Sequence, residues 1–84
     1  MTRIDKLYAS VLANPGQAIA FREFIALIEA FGFCQARTKG SHRSYVRRAC
    51  PRPLVIQPKG KEAKRYQVRE FLEMIREYGL HRDP

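Results

Sequence analysis

The residues best suited to chemistry lie in one short stretch, Arg37 to Tyr45, with the sequence RTKGSHRSY. It contains His42, one of only two histidines, with a cation on each side. Histidine has an unperturbed pKa of about 6.5, so it can accept and donate protons near neutral pH. Cations beside it would hold a polyanion while the proton moves. We therefore expect His42 to be the general acid/base of a small ribonuclease.

The positive charge of the chain is concentrated around this stretch. The net charge is +8, and residues 37–69 hold eleven lysines and arginines against Glu62 alone, a net of +10. Residues 1–36 cancel to zero, and residues 70–84 are net −2. A clustered basic surface on a small domain is the electrostatic footprint of a phosphate-backbone binder. A basic face that docks an acidic protein, or one that is only solvated, is the alternative.

Composition limits the other classes of function. Eighty-four residues are enough for one domain. Glu62 is the only carboxylate in the basic third, so we expect no divalent metal and no cofactor. Two cysteines, Cys34 and Cys50, are too few for a zinc site and are expected to be reduced and partly buried. With no stretch of about 18 apolar residues and no signal-peptide pattern, no membrane association is expected, and the predicted location is the cytoplasm.

Hydrophobic periodicity predicts three helices. In each, apolar residues recur at helical spacing, and a glycine after the second and third helices would take the left-handed cap conformation. The predicted helices run from Ile4 to Leu12 with Thr2 as N-cap, from Phe21 to Phe31 with Gly32 as cap, and from Tyr66 to Tyr78 with Gly79 as cap.

Between the second and third helices the period changes from 3.6 to 2, which is typical of strands. Residues 33–38 read as a half-buried strand with Cys34, Ala36 and Thr38 on one face. Residues 39–42 read as a turn around Gly40, residues 43–48 as a second, antiparallel strand, and Leu54 to Ile56 as a third. This order predicts an α+β fold with helices on one face of a three-stranded antiparallel sheet.

The chain resembles the HicA family of toxins, the ribonuclease halves of prokaryotic toxin-antitoxin pairs. The motifs that carry the resemblance are AFGF at 30–33 leading into RTKGSH at 37–42, LVIQP at 54–58 and YQVR at 66–69. The resemblance covers about residues 21–80. It implies a double-stranded-RNA-binding-like α-β-β-β-α core, and the helix at about 3–13 would be an addition within a single domain, 1–84.

The resemblance also implies that His42 is catalytic, that messenger RNA or other single-stranded RNA is cleaved without a metal, and that a HicB-like antitoxin covers the site. Lys39 and Arg43 are candidates for stabilising the transition state, and Ser41 for orienting the imidazole. Many family members carry a second histidine after the third strand, where this chain has Lys59. The predicted RNA-binding residues are Arg37, Tyr45, Arg47, Lys59, Lys61, Lys64, Arg65 and Arg69.

Two other functions fit the same sequence. One is a non-catalytic RNA-binding module of the same fold, which the missing second histidine favours. The other is a protein-interaction domain whose basic face recognises an acidic partner. Tyr45 is likewise open to a second interpretation, as a residue of the sheet rather than a base-stacking one.

Overall fold

The computed structural model describes residues 3–48 and 50–81, and its elements confirm the predicted α+β class with three helices and a three-stranded antiparallel sheet. The predicted N-cap Thr2 lies outside the described residues. The helices are α1 (Arg3–Ala13), α2 (Phe21–Ala30) and α3 (Arg65–Tyr78); the strands are β1 (Cys34–Lys39), β2 (His42–Val46), β3 (Leu54–Ile56), β4 (Pro58–Lys59) and β5 (Glu62–Ala63).

The core is built around the ring of Phe71 in α3, which is fully buried. Phe24, Phe31 and Phe33 meet this ring edge-on, with centroid distances of 5.8, 5.5 and 6.0 Å. Edge-to-face contact is the favoured geometry for aromatic pairs, and full burial of each ring stabilises the fold by about 1.5–3 kcal/mol. The phenylalanines at helical spacing in α2 therefore serve packing, and Tyr8 of α1 joins them at 5.0 Å from Phe31.

The three-stranded sheet has β2 in its centre, antiparallel to β1 on one side and β3 on the other. Tyr45 of β2 lies opposite Leu54 of β3, and both are buried against the helices. Ser44 lies opposite Val55 on the other side of the sheet. Val55 is 42% exposed, as is Val46. We call this side, which no described element covers, the outer face.

Strand β1 differs from the prediction of a half-buried strand, because all six of its residues are exposed. An irregularity between Gln35 and Arg37 shifts the register, so Gln35 lies opposite Tyr45 while Arg37 lies opposite Ser44 on the outer face. A bulge adds one residue to a strand and interrupts the alternation of faces. The side-chain amide of Gln35 donates a hydrogen bond to the Thr38 hydroxyl, so these two residues share a face across the bulge.

The cysteine predictions are corrected in part. Cys34 is exposed rather than partly buried, because it follows the buried Phe33 and lies on the outer face opposite Val46. Cys50 is half-buried as expected, and both thiols are free.

A two-stranded hairpin, β4 and β5, follows the sheet, in a segment to which the sequence pattern assigns no strand. Its turn contains Gly60, which has a φ of +64°. The hairpin is attached to the start of α2 by backbone hydrogen bonds, from the Phe21 N–H to the Lys61 carbonyl and from the Ala63 N–H to the Ile19 carbonyl, both 2.9 Å. The cationic segment after β3 is therefore held in place rather than free.

Candidate active site

His42 begins strand β2, directly after a two-residue turn made by Gly40 and Ser41. Gly40 has a φ of +61°, which a glycine at the first central position of a hairpin turn adopts without strain. The sequence placed His42 in the turn itself, and this is corrected, since it lies in the strand ladder opposite Lys39. The ladder fixes its backbone while its side chain stays exposed.

Two cations accompany His42 on the outer face. Lys39 lies directly opposite it, and Arg37 lies opposite Ser44, which makes Arg37 its diagonal neighbour across the strand pair. Directly opposite residues have Cβ atoms about 4.5–5.5 Å apart, and diagonal neighbours about 7–8 Å. Both side chains are long enough to reach a phosphate held at the imidazole. Ser41 is exposed in the adjoining turn.

Arg43 lies on the opposite side of the sheet from His42. It lies opposite Ile56, a core residue, and its guanidinium carbon is 5.4 Å from the centroid of the Phe21 ring. Neighbouring residues of a strand point to opposite faces. The structure therefore does not bring together Arg43 and His42, which the sequence paired at the transition state. Arg43 instead lines a cleft of about 580 Å³ with Arg22 and Lys61.

Tyr45 is 1% exposed and belongs to the hydrophobic core. A ring enclosed in this way cannot stack on a base of a bound nucleic acid. The prediction that Tyr45 binds RNA is wrong, and its alternative interpretation as a residue of the sheet is what the structure supports. The cause is strand alternation, which turns Tyr45 toward the hydrophobic core and leaves Ser44 on the outer face.

Two arginines of the basic third are engaged within the protein. Arg47 donates a hydrogen bond of 3.1 Å to the backbone carbonyl of His81. Arg52 forms ion pairs with Glu70 at 3.2 Å and Glu77 at 3.9 Å. A hydrogen bond to the Tyr78 hydroxyl, with help from the charges of the two carboxylates, raises the pKa of Arg52 above its ordinary value. Arg52 stays charged, but Glu70 and Glu77 compensate its charge, so it attracts a phosphate backbone less than the cations around it do.

Four other predicted RNA-binding residues meet at a second cleft, of about 810 Å³, between the β4–β5 hairpin and the start of α3. No ion pair joins any of the four to another residue in 3–48 or 50–81. The first turn of α3 carries no acidic residue and no side-chain cap, so its helix dipole adds positive potential here. We call this the basic cleft; its lining cations are Lys59, Lys64, Arg65 and Arg69, with Glu62, Ala63 and Tyr66 beside them.

Sequence reasoning missed two residues of these surfaces. Arg22 lines the smaller cleft beside Arg43, and nothing in its sequence context distinguishes it from any solvated residue of a helix. Tyr66 lines the basic cleft and is 58% exposed. Its position beside Arg65 and Lys64 was a usable signal, because an aromatic ring between cations suits a nucleotide.

Within 3–48 and 50–81, no group of three or more His, Cys, Asp or Glu side chains is placed to hold a metal ion. The helices of the same ranges are all too short or too polar to cross a membrane.

The three-stranded sheet has helices on one face and an exposed histidine on its outer face, and many cations in the described part of the chain form no ion pair. These features define a small basic domain of the double-stranded-RNA-binding-like α+β type. The family model described as the HicA toxin of bacterial toxin-antitoxin systems matches residues 21–79. The chain therefore belongs to the HicA toxin family, as its motifs indicated, and this implies a HicB-type antitoxin as its partner. No curated protein and no solved structure matches the chain. Helix α1 lies outside the matched range.

Proposed function

We propose that this toxin is a metal-independent endoribonuclease that cleaves messenger RNA or other single-stranded RNA in the cytoplasm, with His42 as its catalytic residue. The observation that carries the proposal is the position of His42, exposed on the outer face and directly opposite Lys39. Metal independence is supported by the donor set, because Glu62 is the only carboxylate among residues 37–69. The family resemblance, which implies ribonuclease activity, supports the same reading.

The reaction that suits one imidazole and nearby cations is transesterification within the RNA. The ribose 2′-oxygen attacks its own 3′-phosphate, and the bond from phosphorus to the leaving 5′-oxygen breaks. The products are a 2′,3′-cyclic phosphate and a free 5′-hydroxyl. His42 accepts the 2′-hydroxyl proton in its neutral form, or donates a proton to the 5′-oxygen in its charged form. Because the site is exposed, water accepts or supplies the proton that His42 does not transfer.

The surrounding residues have separate roles in this proposal. Lys39 stabilises the extra negative charge on the phosphate oxygens in the transition state. Ser41 orients the imidazole from the adjoining turn, and Arg37 holds a neighbouring phosphate. The HicB-type antitoxin silences the toxin by covering the outer face. More distant phosphates are bound by Lys59, Lys61, Lys64, Arg65 and Arg69. Arg47 is given no phosphate, because its guanidinium donates to the His81 carbonyl beyond the other end of α3.

The test compares the parent chain with His42→Ala and with His81→Ala, which removes the other histidine as a matched control. Loss of a general acid/base lowers the rate by about 10²–10⁴-fold. We therefore expect His42→Ala to lose cleavage of a fluorogenic RNA oligonucleotide in the presence of a chelator, and to lose growth arrest on induction. His81→Ala keeps both. Retention of cleavage and toxicity by His42→Ala would reject the proposal.

A non-catalytic RNA-binding module is the second candidate. One observation favours it: His42 is not among the residues that line the basic cleft, so the cleft can grip RNA without the imidazole. The same variants separate the two functions. A module that only binds would show no cleavage even as the parent chain, and its RNA affinity would be the same in His42→Ala.

A further inference from the structure

Tyr66 is an unusual side chain in this molecule. The chain has five phenylalanines and four tyrosines, and Tyr66 is the only one of them that is exposed in the structure, at 58%. Eight aromatic rings thus lie wholly or partly inside the protein. The ninth lies at the start of α3, in the cleft with Lys64, Arg65 and Arg69.

The hydroxyl of Tyr66 is held by a buried polar residue. Gln67 is 4% exposed, the only polar side chain among the described residues that is buried. Its carbonyl oxygen accepts a hydrogen bond of 3.0 Å from the Gln57 backbone N–H, and its amide donates one of 3.4 Å to the Tyr66 hydroxyl. Gln67 thereby connects the first turn of α3 to the end of β3. An aromatic ring held in place before binding loses little conformational entropy when a ligand stacks on it.

We propose that the basic cleft is a nucleotide-binding subsite in which Tyr66 stacks on an unpaired base of RNA while the surrounding cations bind the phosphates on either side. The inference rests on the proposed function, since it takes RNA as the ligand. It adds a residue that selects single-stranded RNA, at a place distinct from His42. Gln67 is the residue that positions the ring.

The chemistry of the cleft favours a nucleotide. Its volume, about 810 Å³, is within the range of about 300–1,000 Å³ that accommodates small ligands. Single-stranded RNA is recognised by aromatic stacking within a positively charged groove, which is the combination present here. Glu62 lies opposite Lys59 on the hairpin and reduces the attraction on that side. The strongest phosphate contacts therefore come from Lys64, Arg65 and Arg69 of the α3 side.

Selectivity for single strands follows from where bases present their faces. Inside a duplex, each base face is covered by the base pairs above and below it, and an A-form helix offers proteins its phosphates and 2′-hydroxyls. A ring on the protein can stack only on a base that is free of such neighbours. Tyr66 therefore contributes to binding of single strands and not to binding of duplexes, whereas the cations contribute to both.

The experiment measures binding without cleavage, in a His42→Ala background, by fluorescence anisotropy at one fixed salt concentration. The ligands are a labelled mixed-sequence single-stranded RNA of twelve nucleotides and the corresponding blunt duplex. Stacking of one base on an aromatic ring corresponds to a loss of about 5- to 150-fold in affinity on removal of the ring. We expect a loss of that size for Tyr66→Ala on the single strand, and less than about a twofold change on the duplex.

Two further variants keep the test specific to the ring. Tyr66→Phe keeps the π-face and loses the hydroxyl that Gln67 holds, so we expect it to lose the benefit of positioning, at most about threefold in single-strand affinity, and to keep the stacking itself. Leu12→Ala removes another exposed apolar side chain, on α1, and is expected to change nothing. A parallel measurement uses 2-aminopurine in the RNA, because stacking on a ring quenches its fluorescence. At protein concentrations that saturate the RNA, as shown by anisotropy, the background protein should quench it and Tyr66→Ala should not.

The outcomes are distinguishable from those of the proposed function. If the His42→Ala background binds no RNA at all, the ribonuclease proposal and the subsite fall together. If it binds but Tyr66→Ala keeps full single-strand affinity, or loses affinity equally for both ligands, only the stacking subsite is rejected. If the cleft binds an acidic protein instead of RNA, Tyr66→Ala keeps full single-strand affinity.

Discussion

Substitution of Lys39 and of Arg43 by alanine separates the two cations that flank His42 in sequence. Lys39 lies opposite His42 on the outer face, whereas Arg43 lies on the covered side over the Phe21 ring. We therefore expect Lys39→Ala to slow RNA cleavage and Arg43→Ala to weaken the fold instead. The sequence alone made the two residues equivalent.

The expected size follows from the exposure of the site. Two unit charges 4 Å apart interact by about 1 kcal/mol in bulk water and by about 4 kcal/mol at the effective dielectric constant of 20 found near protein surfaces. Lys39 and His42 are both exposed, so the lower part of this range applies. A contribution of about 1–2 kcal/mol at the transition state corresponds to about a 5- to 30-fold loss of kcat for Lys39→Ala. Arg43→Ala loses a cation–π contact worth about 0.5–1 kcal/mol of stability.

The assay is single-turnover cleavage of a fluorogenic RNA with saturating enzyme, together with urea unfolding of each variant. Lys39→Arg is the matched control, because it keeps the charge at the same position and should restore most of the rate. If Arg43→Ala slowed cleavage as much as Lys39→Ala while its unfolding midpoint stayed the same, the assignment of the two residues to opposite faces would be refuted. Equal rates for Lys39→Ala and the parent chain would refute the role of Lys39.

Two further predictions concern binding and stability. Arg69→Ala should weaken RNA binding and lower the salt dependence of log Kd by about 0.7 for a single strand. Arg52→Ala breaks the ion pair with Glu70, so it should reduce the unfolding free energy and leave RNA affinity and its salt dependence unchanged. Equal salt slopes for the two variants in an anisotropy titration would contradict this. Gly40→Ala should lower the unfolding free energy by about 1 kcal/mol, because φ is +61° and no atom lies within 4 Å of the added carbon, so only backbone strain in the alanine variant acts. Gly16→Ala is the control, since the φ of Gly16 is not positive. Equal urea midpoints for the two variants would show that alanine is not strained at position 40.

The parts of the fold that could be predicted from the sequence are those with strong hydrophobic periodicity. The stripe around Phe24 and Phe71 gave α2 and α3 with bounds close to the observed ones. The bulge near Ala36 and the β4–β5 hairpin were not predictable in this way. Both lie in short polar segments, where no apolar pattern sets the register, and the hairpin depends on hydrogen bonds to the distant start of α2.

The candidate site shows the same division. The position of His42 on an open surface follows from its neighbours Gly40 and Ser41, which favour a turn. Its assignment to the turn rather than to β2 had a consequence, however. Once His42 is in the strand, alternation puts Arg43 on the other face, so one residue of error in the strand boundary made Arg43 a false partner of His42. Tyr45 was misassigned for a different reason, since the sequence did not show which face of β2 is buried.

The cation opposite His42 and the cations of the basic cleft are expected to have separate roles in catalysis. In the proposed reaction Lys39, opposite His42, acts on charge that develops only in the transition state, so we expect its loss to lower kcat. Arg65 and Arg69 line a cleft that His42 does not line, and the phosphates that we propose they bind carry the same charge before and during the reaction. Interactions that are equal in the ground and transition states change KM and leave kcat unaltered. Gln67 connects the cleft to the sheet, since its carbonyl oxygen accepts a hydrogen bond from the Gln57 N–H at the end of β3 and its amide donates one to the Tyr66 hydroxyl.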